Sequence, residues 1–138
     1  MFETLISKLQ EDKYLTLETT PQHEPSMHNI VEKIKKFKID SKVDGFTCTD
    51  NPLAKLKYNS LFAALKLQQE FKKPVIATMT MRDRNKIALQ SDLLGANDFD
   101  IRAILALTGD PANMSDQPNS KGVFEANSLM LLKMIKSF

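Results

Sequence analysis

The chain lacks most of the features that assign a function at sight. It has one cysteine, Cys48, in 138 residues, which excludes an intramolecular disulfide and fits a reducing compartment. It has four glycines, and none belongs to a Walker-type or dinucleotide-binding glycine pattern. Its two histidines, His23 and His28, are spaced off the interval that puts two ligands on one helix face. With no cysteine–histidine cluster to help them, they are expected on the surface and not on a metal. No apolar run approaches the ~20 residues needed to span a bilayer. The start, Met1 to Lys8, lacks a charged region followed by a long apolar one. No signal peptide is therefore expected, and the cytoplasm is the expected location. A net charge of +2 is too small to point to nucleic acid or an anionic membrane as partner.

What is present is an ordinary globular composition, 42% apolar and 26% charged, in one domain expected over residues 1–138. Apolar spacing predicts a short amphipathic helix over 2–11 through Phe2, Leu5, Ile6 and Leu9. A strand follows over Tyr14–Glu18, then a helix over 26–37 with Ser26 as N-cap. The lysine-rich face Glu32–Lys38 of that helix reads as solvated, with Ile30, Ile34 and Phe37 turned inward. Val43–Thr49 reads as the second strand, and Ser60–Phe71 as the second crossover helix. Pro74–Met81 is a third strand opened by proline, where a missing N–H costs least. Asn85–Leu94 is a helix, with Gly95 supplying the left-handed residue past its end. Ile101–Leu107 is a fourth strand, apolar enough to be covered on both faces. A final helix over 123–136 turns Leu129, Leu132 and Ile135 inward.

One leading helix and four βα units predict an α/β fold with a parallel sheet. Such a sheet either stays open and doubly wound, as in flavodoxin-like folds, or curls into a barrel after eight units. Periodicity alone leaves both open.

Polar clusters recur where each strand ends, which is where parallel α/β proteins bind ligands. Glu18 closes the first strand, either as a solvated strand-end residue or as a partly desolvated carboxyl that holds its proton and serves as a general acid. Thr47-Cys-Thr-Asp-Asn51 closes the second, offering groups to a polar ligand edge or simply starting a turn. At the third, Asp83 is placed to cap the next helix. Arg82 and Arg84 either bind an anion at that helix N-terminus or pair with nearby aspartates. At the fourth, Leu107-Thr-Gly-Asp-Pro111 carries Gly109, which lets the backbone approach a ring closely. Asp110 there can make a bidentate pairing. Cys48, flanked by Phe46 and Thr47, reads as a buried inert thiol. The methionines Met79, Met81, Met114, Met130 and Met134 read as filler of core and loops.

The run Thr80-Met-Arg-Asp-Arg-Asn-Lys-Ile-Ala-Leu-Gln-Ser-Asp-Leu-Leu-Gly-Ala96, with Leu107–Pro111 after it and Glu18-Thr-Thr-Pro21 before, resembles the methylenetetrahydrofolate reductase family. Its wording is similar to the acetogen and archaeal branch. The resemblance covers nearly the whole chain and implies the N-terminal half of a (βα)8 TIM barrel. It implies hydride transfer from NADH or NADPH, through a flavin (FAD or FMN), to 5,10-methylenetetrahydrofolate, giving 5-methyltetrahydrofolate. On that resemblance Glu18 is the acid that protonates the folate nitrogen as the imidazolidine ring opens. Thr49, Thr80, the backbone of Leu107, Thr108 and Gly109, and Ala126 line the flavin, and Asp110 anchors the folate substrate. The nicotinamide would share the flavin face. Two positions depart from the wider bacterial pattern: Thr78 stands where many relatives carry histidine, and Thr108 where they carry arginine.

Four units are half of eight. The resemblance therefore implies a fragment of a longer reductase, a homo-oligomer that builds a pseudo-barrel, or a chain that pairs with a separate second-half barrel. The alternative from another class is a non-catalytic flavin- or folate-binding half-barrel.

Overall fold

The computed structural model describes residues 1–11 and 13–138. Four strands, β1 (Thr16–Thr19), β2 (Gly45–Cys48), β3 (Val75–Thr80) and β4 (Ala103–Leu107), form one parallel sheet in the order β1-β2-β3-β4. Register is continuous across it, with Glu18 opposite Thr47, Thr47 opposite Ile76, and Thr80 opposite Leu107. Spatial order equal to chain order is a singly wound sheet. A flavodoxin-like sheet would reverse direction after its first strand, so that alternative is excluded.

Right-handed crossovers in a singly wound sheet put every helix on the same face. The core confirms it. Val31 and Ile34 of α2 (His28–Lys36) pack with Ala63, Ala64 and Leu67 of α3 (Ser60–Phe71), against Phe46, Cys48, Val75 and Ala77 of the sheet. The layer continues through Met79 and Met81 to Leu89 and Leu93 of α4 (Lys86–Asp98) and Leu131 of α5 (Ser128–Ser137). Strand residues alternate between faces, so Ile76, Thr78 and Thr80 of β3 and Leu105 and Leu107 of β4 lie on the opposite face. The expectation that β4 is covered on both faces fails here. Leu105 and Leu107 are 49% and 42% exposed, because no helix or strand among the described residues lies over that face.

The remaining element, α1 (Phe2–Gln10), buries only Leu5 and sits beside the start of β4. The Met1 amine bonds Asp100 at 3.1 Å, Glu3 bonds Arg102 at 3.0 Å, and the Arg102 guanidinium lies over the Phe2 ring.

Helix limits follow their caps. Asn59 accepts from the amides of Leu61 and Phe62, so α3 starts where its spacing predicts. Ser26 accepts from the His28 amide just ahead of α2, which begins two residues later than the predicted 26. Phe37 is exposed and not inward, since α2 ends before it and Val31 takes the buried position. Asn85, and not Asp83, caps α4 by accepting from Ala88 N. That helix runs through Gly95 to Asp98, because Ala96 is buried in the core and holds the chain helical. Asp100, at φ 60°, is the left-handed residue beyond it. The last helix starts at Ser128 and not 123, because the preceding backbone bonds the two residues that follow β3: Val123 N donates to Arg82 O at 2.6 Å and Phe124 N to Met81 O at 3.2 Å. Its inward stripe is Leu131, Met134 and Ile135, while Leu129 and Leu132 face out.

Candidate functional site

The C-terminal ends of β1 to β4 and the loops after them enclose a cleft of about 360 Å³. It gathers Glu18 from β1, Thr49 after β2, Thr80 from β3, and Leu107, Thr108, Gly109 and Asp110 at the end of β4. Asp50, Pro52, Thr78, Arg82 and Leu105 also line it. Ala126 is not in this cleft. It is buried on the helix side with Met79, Met81 and Leu131.

The cleft is built on an ion-pair lattice. Asp50, whose side chain is 1% exposed, follows Thr49 and reaches across to β3. Its Oδ2 accepts from Thr80 N at 2.9 Å, from Thr80 Oγ1 at 3.2 Å and from Arg84 Nη1 at 2.6 Å. Arg84 Nε turns the other way, to Asp92 on α4 at 2.9 Å. Burial opposes the charge on Arg84, but Asp50 and Asp92 outweigh it and raise the guanidinium pKa. Arg82 is 2% exposed and makes a bidentate pair with Asp83, at 2.8 and 2.7 Å. It also donates to Asn51 O at 3.0 Å. Burial works against the charged form of Asp83. The bonds from Arg82 and the nearby charge of Arg84 exceed that effect and hold its carboxyl below the usual carboxylate range. Both guanidiniums are therefore engaged by carboxylates, and the anion-binding reading of Arg82 and Arg84 gives way to the aspartate pairing.

Asp50 is the residue whose role sequence reasoning missed, having read the Thr47–Asn51 cluster as a turn or as groups offered to a polar ligand edge. A signal was available. Arg82-Asp83-Arg84 puts two guanidiniums beside one carboxylate, so a buried second arginine demands another acid from elsewhere in the fold.

The other residues divide by what they touch. Asp110 Oδ2 accepts from Leu53 N at 2.8 Å, tying the β4 loop to the 3-10 turn Pro52–Ala54. Thr108 Oγ1 accepts from Ser128 N at the start of α5. Gly109 has φ +102°, and a Cβ there would stand 3.0 Å from Arg82 Cβ and 3.2 Å from Thr80 Cβ. Its glycine is required by packing on β3 as well as by its conformation. Glu18 is exposed, which agrees with the solvated strand-end reading and not with the partly desolvated one. Thr49 differs from all of these: its Oγ1 is buried and has no hydrogen-bond partner among the described residues. A buried hydroxyl without a partner is costly, and a bound molecule that supplies the missing bond is one way such a cost is met. A molecule that met it would present a polar atom there, and the polar edge of a flavin ring is compatible with that one hydroxyl.

Elsewhere, Cys48 is fully buried, and burial pushes its thiol up to about 11 against a weak opposing bond from Thr19. His23 and His28 are exposed. Among the described residues no cluster of three or more histidine, cysteine or acidic side chains is placed to hold a metal, and no helix is long and apolar enough to cross a membrane.

No curated protein gives a significant match to the chain. The family model described as methylenetetrahydrofolate reductase matches residues 3–138, and the chain, with its parallel sheet and its strand-end cleft, belongs to that family.

Proposed function

We propose that this chain forms one wall of a flavin-dependent methylenetetrahydrofolate reductase site, of the acetogen and archaeal type. In this reading the bound flavin, FAD or FMN, relays hydride from NADH or NADPH to 5,10-methylenetetrahydrofolate, giving 5-methyltetrahydrofolate. The observation that carries it is the unpartnered Thr49 hydroxyl, buried in the same cleft as Glu18 and Asp110.

The division of labour follows from placement. Thr49, Thr80 and the Leu107–Gly109 backbone hold the flavin ring. Ala126 supports that wall from the helix side, where it packs under β3 and α5. Asp110 meets the pterin amino group and ring N–H in a bidentate pairing, giving up its bond to Leu53 N as it does so. Glu18 donates a proton to the folate nitrogen as the imidazolidine ring opens, leaving the iminium carbon that accepts hydride. Its present exposure suits a site that is finished by further strands. These would pair with the free edges of β1 and β4, cover Leu105 and Leu107, and exclude water from Glu18. More of the same chain, a second copy, or a separate second-half chain can supply them.

The open face at Leu105 and Leu107 also favours a second reading, a non-catalytic flavin- or folate-binding half-barrel or one subunit of a split enzyme. A visible spectrum of the purified chain separates the two. Bound yellow flavin that is bleached by reduced nicotinamide and restored by the methylene-folate supports the reductase. Flavin without turnover supports the binding module. A folded chain that takes up neither flavin nor folate overturns both.

A further inference from the structure

A hydroxyl group has one proton to give, and the proton of Thr80 is committed. Its Oγ1 donates to Asp50 Oδ2, and Asp50 is fixed in turn by the Thr80 amide and by Arg84. Thr80 also lines the cleft, and toward that space it has only lone pairs left. A ligand carbonyl facing it would set acceptor against acceptor, whereas a ligand N–H would be matched. Thr49, at the end of the neighbouring strand, is the opposite case. Its buried hydroxyl has no partner among the described residues, so its proton is uncommitted and a small rotation of the side chain could offer it to the cleft that Thr49 lines.

We infer that Asp50 is a positioning residue that determines specificity: by taking the Thr80 proton it makes the cleft select a ring edge with an N–H at Thr80 beside a carbonyl at Thr49. Such a lactam edge occurs in both flavins and pterins. Since Asp110 is assigned to the pterin, this edge falls to the flavin, and in that respect the inference rests on the proposed function.

The three close bonds to Asp50 converge on one oxygen. Asp50→Asn can keep an oxygen there and should preserve the selection, whereas Asp50→Leu cannot. Thr80→Val removes the hydroxyl without changing the side chain's shape, and it keeps the test open should Asp50→Leu fail to fold.

The test has a ligand-free arm and a binding arm. In the first, proton NMR of the full chain should show a slowly exchanging Thr80 hydroxyl in the wild type and in Asp50→Asn, absent from Thr80→Val. A rapidly exchanging hydroxyl in the folded wild type would overturn the inference whatever binds. In the second, FMN and its N3-methyl derivative are titrated alongside folic acid and its N3-methyl derivative. The wild type and Asp50→Asn should prefer FMN to its methylated form by tenfold or more, and Thr80→Val should lose about tenfold in FMN affinity while leaving the methylated form unchanged. Equal binding of the two flavins, with no preference between the folates, overturns the selection. The same preference seen only for folic acid keeps the polarity of Thr80 but overturns its assignment to flavin. If none of the four probes binds, the flavin reading falls and the hydroxyl signal decides the polarity alone.

Discussion

The Asp110 carboxylate stands 2.8 Å from the backbone amide of Leu53 and holds a loop whose backbone is unfavourable for ordinary residues. Asn51, Leu53 and Ala54 have φ of 42°, 57° and 55°, a region that costs about 1 kcal/mol or more for a residue with a Cβ. A second carboxylate from the β4–α5 loop, Asp116, accepts from Leu56 N at 3.0 Å. The strained loop is thus held from across the mouth of the cleft by acids, one of which is the proposed folate anchor. A ligand that captures Asp110 must release Leu53.

Asp110→Ala tests this coupling without any ligand. Amide exchange at Leu53 should accelerate markedly, and urea unfolding should report a loss of about 1–2 kcal/mol, the value of one hydrogen bond to a charged acceptor at a partly exposed site. A Leu53 amide that exchanges as in the wild type would show that the loop is held by something else.

Gly109→Ala combines a positive φ with a Cβ pressed against Arg82 and Thr80. A destabilisation of about 1–3 kcal/mol is expected, read as an earlier denaturation midpoint with unchanged slope. Because the contact is with the cleft wall, flavin affinity should fall with it. A neutral Gly109→Ala would contradict the packing described for β3 and β4.

Arg84→Met leaves the Asp50 carboxylate buried with its main counter-charge gone. Breaking a buried pair from one side costs about 3–5 kcal/mol. The double variant Asp50→Leu with Arg84→Met should recover part of that loss, since two apolar groups need no counter-charge. Strict additivity of the two single effects would mean that they do not form a coupled pair.

Cys48 imposes an alkaline limit. Burial raises its thiol from an ordinary value near 9 to about 11. Between those values the unfolded chain has lost a proton that the folded chain keeps, so the folded state binds more protons and stability falls as pH rises. The fall should total about 2–3 kcal/mol across that window. Thermal melts from pH 8 to 11 should show it, and Cys48→Ala should flatten the slope over the same range despite its own constant cost.

Glu18→Gln should abolish methylene-folate reduction while sparing reduction of the bound flavin by nicotinamide. Stopped-flow measurement of the two half-reactions separates them, and equal loss in both would remove Glu18 from the proton-donor role. A folded, flavin-loaded Glu18→Gln protein is the control, and an exposed side chain makes that outcome expected.

Legibility in the sequence followed the range of the interactions involved. The alternation of strands and helices was readable because it depends on spacing along a few residues, and α3 falls where its Asn59 cap and apolar stripe place it. Glu18, Thr49, Thr80 and the 107–110 segment were readable as one cleft because strand ends in a parallel sheet converge. What escaped depended on partners distant in sequence. Asp83 was assigned a helix cap, but Arg82 claims it and Asn85 caps instead. The start of α5 was misplaced because residues 123 and 124 spend their amides on Arg82 and Met81, just past β3. Gly95 was read as a terminator because local propensity favours one, while burial of Ala96 carries the helix past it.

The strand order also bears on how the chain assembles. Each strand pairs with the one made just before it, so every βα unit can dock on a finished neighbour as the polypeptide emerges, with short loop closures throughout. The clasp between α1 and the start of β4 is different, because Met1 meets Asp100 and Glu3 meets Arg102, both across 99 residues of sequence. It can close only when residues 100–102, which lead into β4, are in place. The earliest helix in the chain thus gains this anchor after the β1 to β3 units have been made, which ties the two ends of the four-stranded array together.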